Sequence, residues 1–92
     1  MEIRLYATLR PIVGGRTVEV PNRCATIGDV LATLSDDYPD LAPHLLDDDG
    51  AMRPYVAVMV NGRDIRHLDG LQTAIGTDSG IDIFPPVAGG AG

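Results

Sequence analysis

Period-two alternation at both ends of a 92-residue chain, with one amphipathic helical stretch between, is what most narrows the fold. In residues 2–9, Ile3, Leu5, Ala7 and Leu9 fall on one face; Arg4, Tyr6 and Thr8 fall on the other. That is the mark of a half-buried strand. Pro11 and Gly14-Gly15 supply a turn, and residues 16–20 alternate again up to Pro21, so the two segments read as a hairpin. Thr26 then opens a helix: its hydroxyl can cap a free N–H, and Asp29 suits the positive end of the helix dipole. Ile27, Val30, Leu31 and Leu34 keep helical spacing, and Pro39 stops the helix near Tyr38. Asp40 to Leu46 reads as a short helical turn, and residues 47–50 as a solvated loop. Residues 55–60 are β-rich, Asn61-Gly62 is a hairpin turn, and Arg63 to Arg66 return as a short strand. Leu68 and Leu71 are expected to plug the base of the sheet, and Gly70, Gly76 and Gly80 punctuate a long connection. Residues 81–84 form the last strand, which Pro85-Pro86 ends.

The order is β-β-α-β-β-β. It predicts an α+β chain with one main helix across one face of a mixed sheet of four to five strands. With the first and last strands side by side in the centre, that is a β-grasp, ubiquitin-like fold. The domain reading is a body over 1–84 and a flexible tail over 85–92. A domain this short buries only ~60–65% of its unfolded surface, which leaves little room for a deep cavity.

Charge removes several function classes. The net charge is −6, so phosphate backbones and anionic membranes are repelled, and neither nucleic acid nor membrane is an expected partner. No apolar run reaches the ~18–20 residues a membrane span needs. The N-terminus lacks a signal-peptide core, and the lone Cys24 fits a reducing compartment, so the chain reads as cytoplasmic. Among other candidates, Cys24 has no nearby His and reads as a bystander thiol. His44 and His67 are isolated, and no Cys/His spacing suggests a metal. The Asp47-Asp48-Asp49-Gly50 run lacks the closing Glu of a calcium loop, and Gly14-Gly15 lacks the Lys of a phosphate loop. With no Ser-His-Asp set either, the chain reads as a cosubstrate of enzymes and not as an enzyme, with no cofactor of its own.

The tail is the distinctive segment. Pro85, Pro86, Val87, Ala88, Gly89, Gly90, Ala91 and Gly92 carry no charged side chain. Two prolines favour an extended exit. Gly89-Gly90 removes side chains near the end, so an enzyme site can close on the backbone without meeting a Cβ. Extended, Pro85 to Gly90 reaches ~20 Å. A carboxylate is a poor electrophile until ATP converts it to an acyl adenylate. The adenylate can then be attacked by sulfur, giving a thiocarboxylate, or by an amine, giving an amide.

These residues carry a family resemblance. Ile83 to Gly90 resemble the last strand and tail of ubiquitin-like sulfur carriers of the MoaD/ThiS superfamily, including the small subunit of molybdopterin synthase. Thr8-Leu9-Arg10-Pro11 with Gly14-Gly15, Val60-Asn61-Gly62 to Asp64-Ile65-Arg66, and Gly70-Leu71 with Thr73-Ala74-Ile75 resemble the branch of CysO-type carriers of cysteine biosynthesis. The resemblance implies that an E1-like adenylyltransferase uses ATP to activate the Gly90 carboxylate, which a sulfur donor then converts to a thiocarboxylate. It implies a PLP-dependent cysteine synthase as the sulfur-accepting partner and a JAMM-type metalloprotease that releases the product. The chain runs past Gly-Gly to Ala91-Gly92. The resemblance therefore also implies cleavage between Gly90 and Ala91 by such a protease. Two alternatives stay open. One is a small subunit of molybdopterin synthase, docked on the large subunit. The other is a protein modifier conjugated to target lysines.

Two further features bear on those alternatives. All seven basic residues are arginine, so the chain offers no lysine on which to build ubiquitin-style chains. Alternation puts Tyr6, Met59 and Phe84 on the face opposite Ile3, Leu5, Val58, Val60, Ile81 and Ile83. If the helix covers the aliphatic face, those three lie on the open face near the tail, as a partner-docking patch.

Overall fold

The computed structural model describes residues 1–85. Its five strands are β1 (Glu2–Leu5), β2 (Thr17–Glu19), β3 (Ala57–Val60), β4 (Arg63–Asp64) and β5 (Ile81–Phe84), in the order β2-β1-β5-β3-β4. β1 and β5 run parallel in the middle, with Ile3 opposite Ile81 and Leu5 opposite Ile83. β5 and β3 are antiparallel, with Ile83 opposite Val58. Pairing the chain's two ends at the sheet centre buries both aliphatic rows at once. Ile3, Leu5, Val58, Ile81 and Ile83 are all essentially inaccessible to solvent.

One long helix covers that row. The helices are α1 (Arg10–Val13), α2 (Ile27–Asp37) and α3 (Ala42–Leu45). α2 buries Ile27, Val30, Leu31 and Leu34, the face its spacing predicted. Its start is a reciprocal cap: Thr26 Oγ1 accepts from the Asp29 N–H at 3.2 Å, and Asp29 Oδ2 accepts from the Thr26 N–H at 3.2 Å. A further N–H, that of Ala25, reaches Asp29 Oδ2 at 2.9 Å. Two of the free donors at a helix start are thereby satisfied. Leu41 and Leu45, around α3, are fully buried and extend the core. At Gly28 a Cβ would stand 3.1 Å from the Leu71 carbonyl oxygen, so α2 lies close against the Gly70–Gln72 turn.

Local turn chemistry decided several boundaries. Residues 2–9 are expected as one strand, yet β1 ends at Leu5. Ala7 adopts φ 51°, and Ala7–Leu9 coil into a 3₁₀ turn that runs into α1. Pro11 sits in the first turn of α1, where its missing N–H costs nothing, and Gly14 closes that helix in the left-handed region at φ 76°. The hairpin between β1 and β2 exists, but helical turns join it. Asn61 and Gly62 both take positive φ (52° and 83°), the geometry of a tight two-residue hairpin. β3 begins at Ala57, not at Tyr55, and β4 stops at Asp64, where Ile65–His67 turn into a 3₁₀ segment. Leu68 does not plug the sheet: it is 36% exposed, while Ile65 fills the core and Leu71 packs at its edge. No helix among the described residues is long and apolar enough to cross a membrane.

Candidate functional site

Because α2 covers the aliphatic face, side chains of the other parity on β1, β5 and β3 share the open face. Tyr6 follows β1 and Phe84 closes β5, and the parallel pairing sets them side by side at one end of the sheet. Their rings stack with centroids 4.3 Å apart and planes 14° apart. Such pairs contribute about 0.5–1.5 kcal/mol beyond the area they bury. Met59 shares this face, opposite Asp82 in the β3–β5 register. All three expected docking residues are half-buried. Stacking brings Tyr6 and Phe84 into contact, and the register sets Met59 one row back.

Charged groups lock the aromatic pair. Asp82 lies two residues before Phe84 and is paired with Arg4 across β1. Its Oδ1 accepts from the Tyr6 hydroxyl at 2.7 Å, and its Oδ2 accepts from Arg4 Nη2 at 2.8 Å. The Arg4 Nε lies 2.6 Å from Asp82 Oδ1, so the ion pair is two-pronged. The Asp82 carboxylate raises the Arg4 guanidinium above its ordinary value, through the hydrogen bond first and through charge second. The Tyr6 phenol is also raised, chiefly because it donates to Asp82 and next because it is desolvated. Arg10 caps the stack, its guanidinium carbon 5.2 Å from the Tyr6 ring centroid, while its Nε donates to the Leu5 carbonyl at 2.9 Å. Tyr6 is thus pinned at its hydroxyl and on its ring.

Sequence reading missed Arg4, Arg10 and Asp82. The signal for two of them was available: a central pairing of the first and last strands puts Arg4 beside Asp82 on the face of Tyr6. Arg10 gave no such signal, because its position depends on the helical turn after Tyr6.

Pro85 is the last described residue and leaves directly from Phe84. The other expected tail and cleavage positions (Pro86, Val87, Ala88, Gly89, Gly90 and Ala91) lie outside the described residues. An open groove lined by Val60, Asn61, Arg63, His67 and Thr73 lies toward the start of β5, since Val60 pairs with Ile81. It is therefore at the far end of the sheet from the tail exit. Cys24 is buried, with Sγ 3.7 Å from the Thr33 hydroxyl, and is remote in its contacts from the aromatic pair. Among the described residues no three His, Cys, Asp or Glu side chains converge as metal ligands would.

The arrangement is a preformed surface beside a chain exit: two stacked aromatic rings held by Arg4, Asp82 and Arg10. Such a face suits docking. The chain is 44% identical over 92 residues to small archaeal modifier protein 3 of Haloferax volcanii, covering 98% of each chain. It is 36% identical over 90 residues to the sulfur carrier protein CysO of Mycobacterium tuberculosis, covering 96% of each. The crystal structure of SAMP1 from Haloferax volcanii superposes with a TM-score of 0.79 at 33% identity, covering 96% of both chains. These relatives are small carrier or modifier proteins with the β-grasp architecture found here. The ThiS family model matches residues 3–90, and the chain belongs to that family of ubiquitin-like carriers.

Proposed function

We propose that this chain is a sulfur carrier that works through an activated Gly90. The observation that carries the reading is that the central strand β5 ends at Phe84, stacked on Tyr6, and that the sequence following it is an uncharged tail containing Gly89-Gly90. A JAMM-type metalloprotease first removes Ala91-Gly92 and frees the Gly90 carboxylate. An E1-like adenylyltransferase docks on the open face and joins that carboxylate to AMP, with pyrophosphate leaving. Sulfide-level sulfur then attacks the carbonyl carbon of the adenylate, forming the C–S bond as the acyl–phosphate C–O bond breaks, so that AMP leaves and the thiocarboxylate remains. Similarity to CysO over 96% of the chain supports cysteine biosynthesis as the destination, with a PLP-dependent enzyme presenting the acceptor.

A second reading has its own support. The 44% identical relative is named a modifier, which favours amide transfer from the same adenylate to lysines of target proteins. With no lysine in this chain, such tags would be single.

The test is the intact mass of the protein purified from its native cell. Loss of one alanyl and one glycyl residue, plus replacement of one oxygen by sulfur, supports the carrier reading. A full-length mass alone under sulfur starvation refutes activation at Gly90. Lysines bearing residues 67–90 in tryptic digests would favour the modifier, since Arg66 is the last basic residue.

A further inference from the structure

We propose that Tyr55 is the anchor on which the tail-adenylating enzyme docks, an inference that rests on the activation of Gly90 proposed above. Tyr55 is 74% exposed; among the described residues the other exposed large apolar side chain is Leu68, at 36%. An aromatic ring left in water does little for the fold, yet the backbone carrying it is held firmly. The Val56 N–H donates to the Arg53 carbonyl at 3.2 Å and closes the turn. Arg66 Nη2 donates to the Val56 carbonyl at 2.7 Å and also to the Pro54 carbonyl, so one guanidinium grips the chain on both sides of Tyr55. Asp64 Oδ1 accepts from the Arg66 N–H at 2.9 Å and steadies that grip. On the other flank, Arg53 Nε donates to the Pro43 carbonyl at 3.0 Å, and the Arg53 N–H donates to the Leu45 carbonyl at 2.8 Å.

A rigid turn presenting an exposed tyrosine has already lost the conformational freedom that binding would otherwise remove. Tyrosines of this kind dominate protein interfaces energetically. Location selects the occupant. Ala57, two residues after Tyr55, pairs with Phe84 at the tail exit. At a strand spacing of ~4.8 Å, this puts the Tyr55 backbone roughly 10 Å from that exit. An enzyme that closes on Gly90 must come within the ~20 Å reach of the extended tail. A typical footprint of ~800 Å² per partner extends about 16 Å from its centre, so one centred on Phe84 includes Tyr55.

The test uses the chain ending at Gly90, the adenylating enzyme of the same cell, and ATP–pyrophosphate exchange as the readout. Tyr55→Ala should raise KM for the carrier about tenfold, with kcat held within about twofold. Tyr55→Phe should behave as the parent. Arg66→Met should raise KM by a smaller factor, because the turn loosens while the ring remains. Leu68→Ala serves as the exposed-apolar control and should change nothing. Thermal melts establish that each variant is folded. If the parent is adenylated and Tyr55→Ala keeps its KM, the anchor is refuted while activation at Gly90 stands. If the parent is not adenylated at all, the Gly90 reading falls and the anchor falls with it. A dimer of the carrier alone that Tyr55→Ala dissolves would assign the ring to self-association and overturn the proposal.

Discussion

Ile83 and Phe84 are neighbours on β5 with opposite roles, and truncating each to alanine separates folding from docking. Ile83 is fully buried between Leu5 and Val58, which flank it in register and are equally buried. Ile83→Ala removes about three methylene-sized groups at ~0.8 kcal/mol each, roughly 2.4 kcal/mol of transfer free energy. A cavity under α2 adds about 1 kcal/mol, which gives a loss of ~3–4 kcal/mol. The whole domain is stable by only ~5–14 kcal/mol. At ~4–8 °C per kcal/mol the melting temperature falls by roughly 12–32 °C. Phe84 is half-buried and stacks on Tyr6 on the open face. Phe84→Ala loses the stack and partial burial, about 1–2 kcal/mol in all. Urea unfolding followed by circular dichroism measures both losses, with equal m-values as the check that the unfolded states match. In adenylation assays run cold, Ile83→Ala should keep the parental KM and Phe84→Ala should raise it. A larger stability loss at Phe84 than at Ile83 would refute the assignment of faces.

Four other outcomes follow from the same geometry. Thr26→Ala breaks the reciprocal cap of α2 and should lower stability by about 1 kcal/mol in urea. Asp29 is held below its ordinary value, first by the Ala25 N–H and then by that of Thr26. Its contribution is therefore present above the unfolded aspartate value and lost as pH falls through the folded one. Below about pH 4 the parent should lose stability more steeply than Asp29→Asn. Tyr6 is raised by Asp82, so its contribution is complete below the ordinary tyrosine value and fades as pH rises through the folded one. Ultraviolet titration of the phenol should show its transition shift to lower pH in Asp82→Ala; no shift would refute the hydrogen bond as the cause. Cys24 is buried against Thr33, so a thiol reagent should label it only when denaturant is present.

The main elements were legible because their signals are local. The Thr26/Asp29 cap and the spacing of Ile27, Val30, Leu31 and Leu34 define α2 without reference to anything else. Asn61-Gly62 defines its turn because both positions need positive φ. The boundaries that moved are those where a short-range pattern competes with packing. Alternation in residues 6–9 looks like more strand, but positive φ at Ala7 turns the chain before β2, and Leu9 reaches the core from a helical turn instead. Leu68 and Ile65 are equally apolar, and only the path of the chain after β4 decides which one is buried.

By itself, then, the sequence determined which residues face inward along β1, α2, β3 and β5. It also determined that an uncharged, glycine-ending tail follows the last strand, because periodicity and side-chain chemistry are written residue by residue. The tertiary structure alone decided who meets whom across the chain. Residues 4 and 82 become an ion pair, and 6 and 84 a stacked pair, because parallel pairing of β1 with β5 closes a separation that no local pattern encodes. The same holds for Arg66, whose grip on the carbonyls flanking Tyr55 exists only because β3 and β4 fold back on each other.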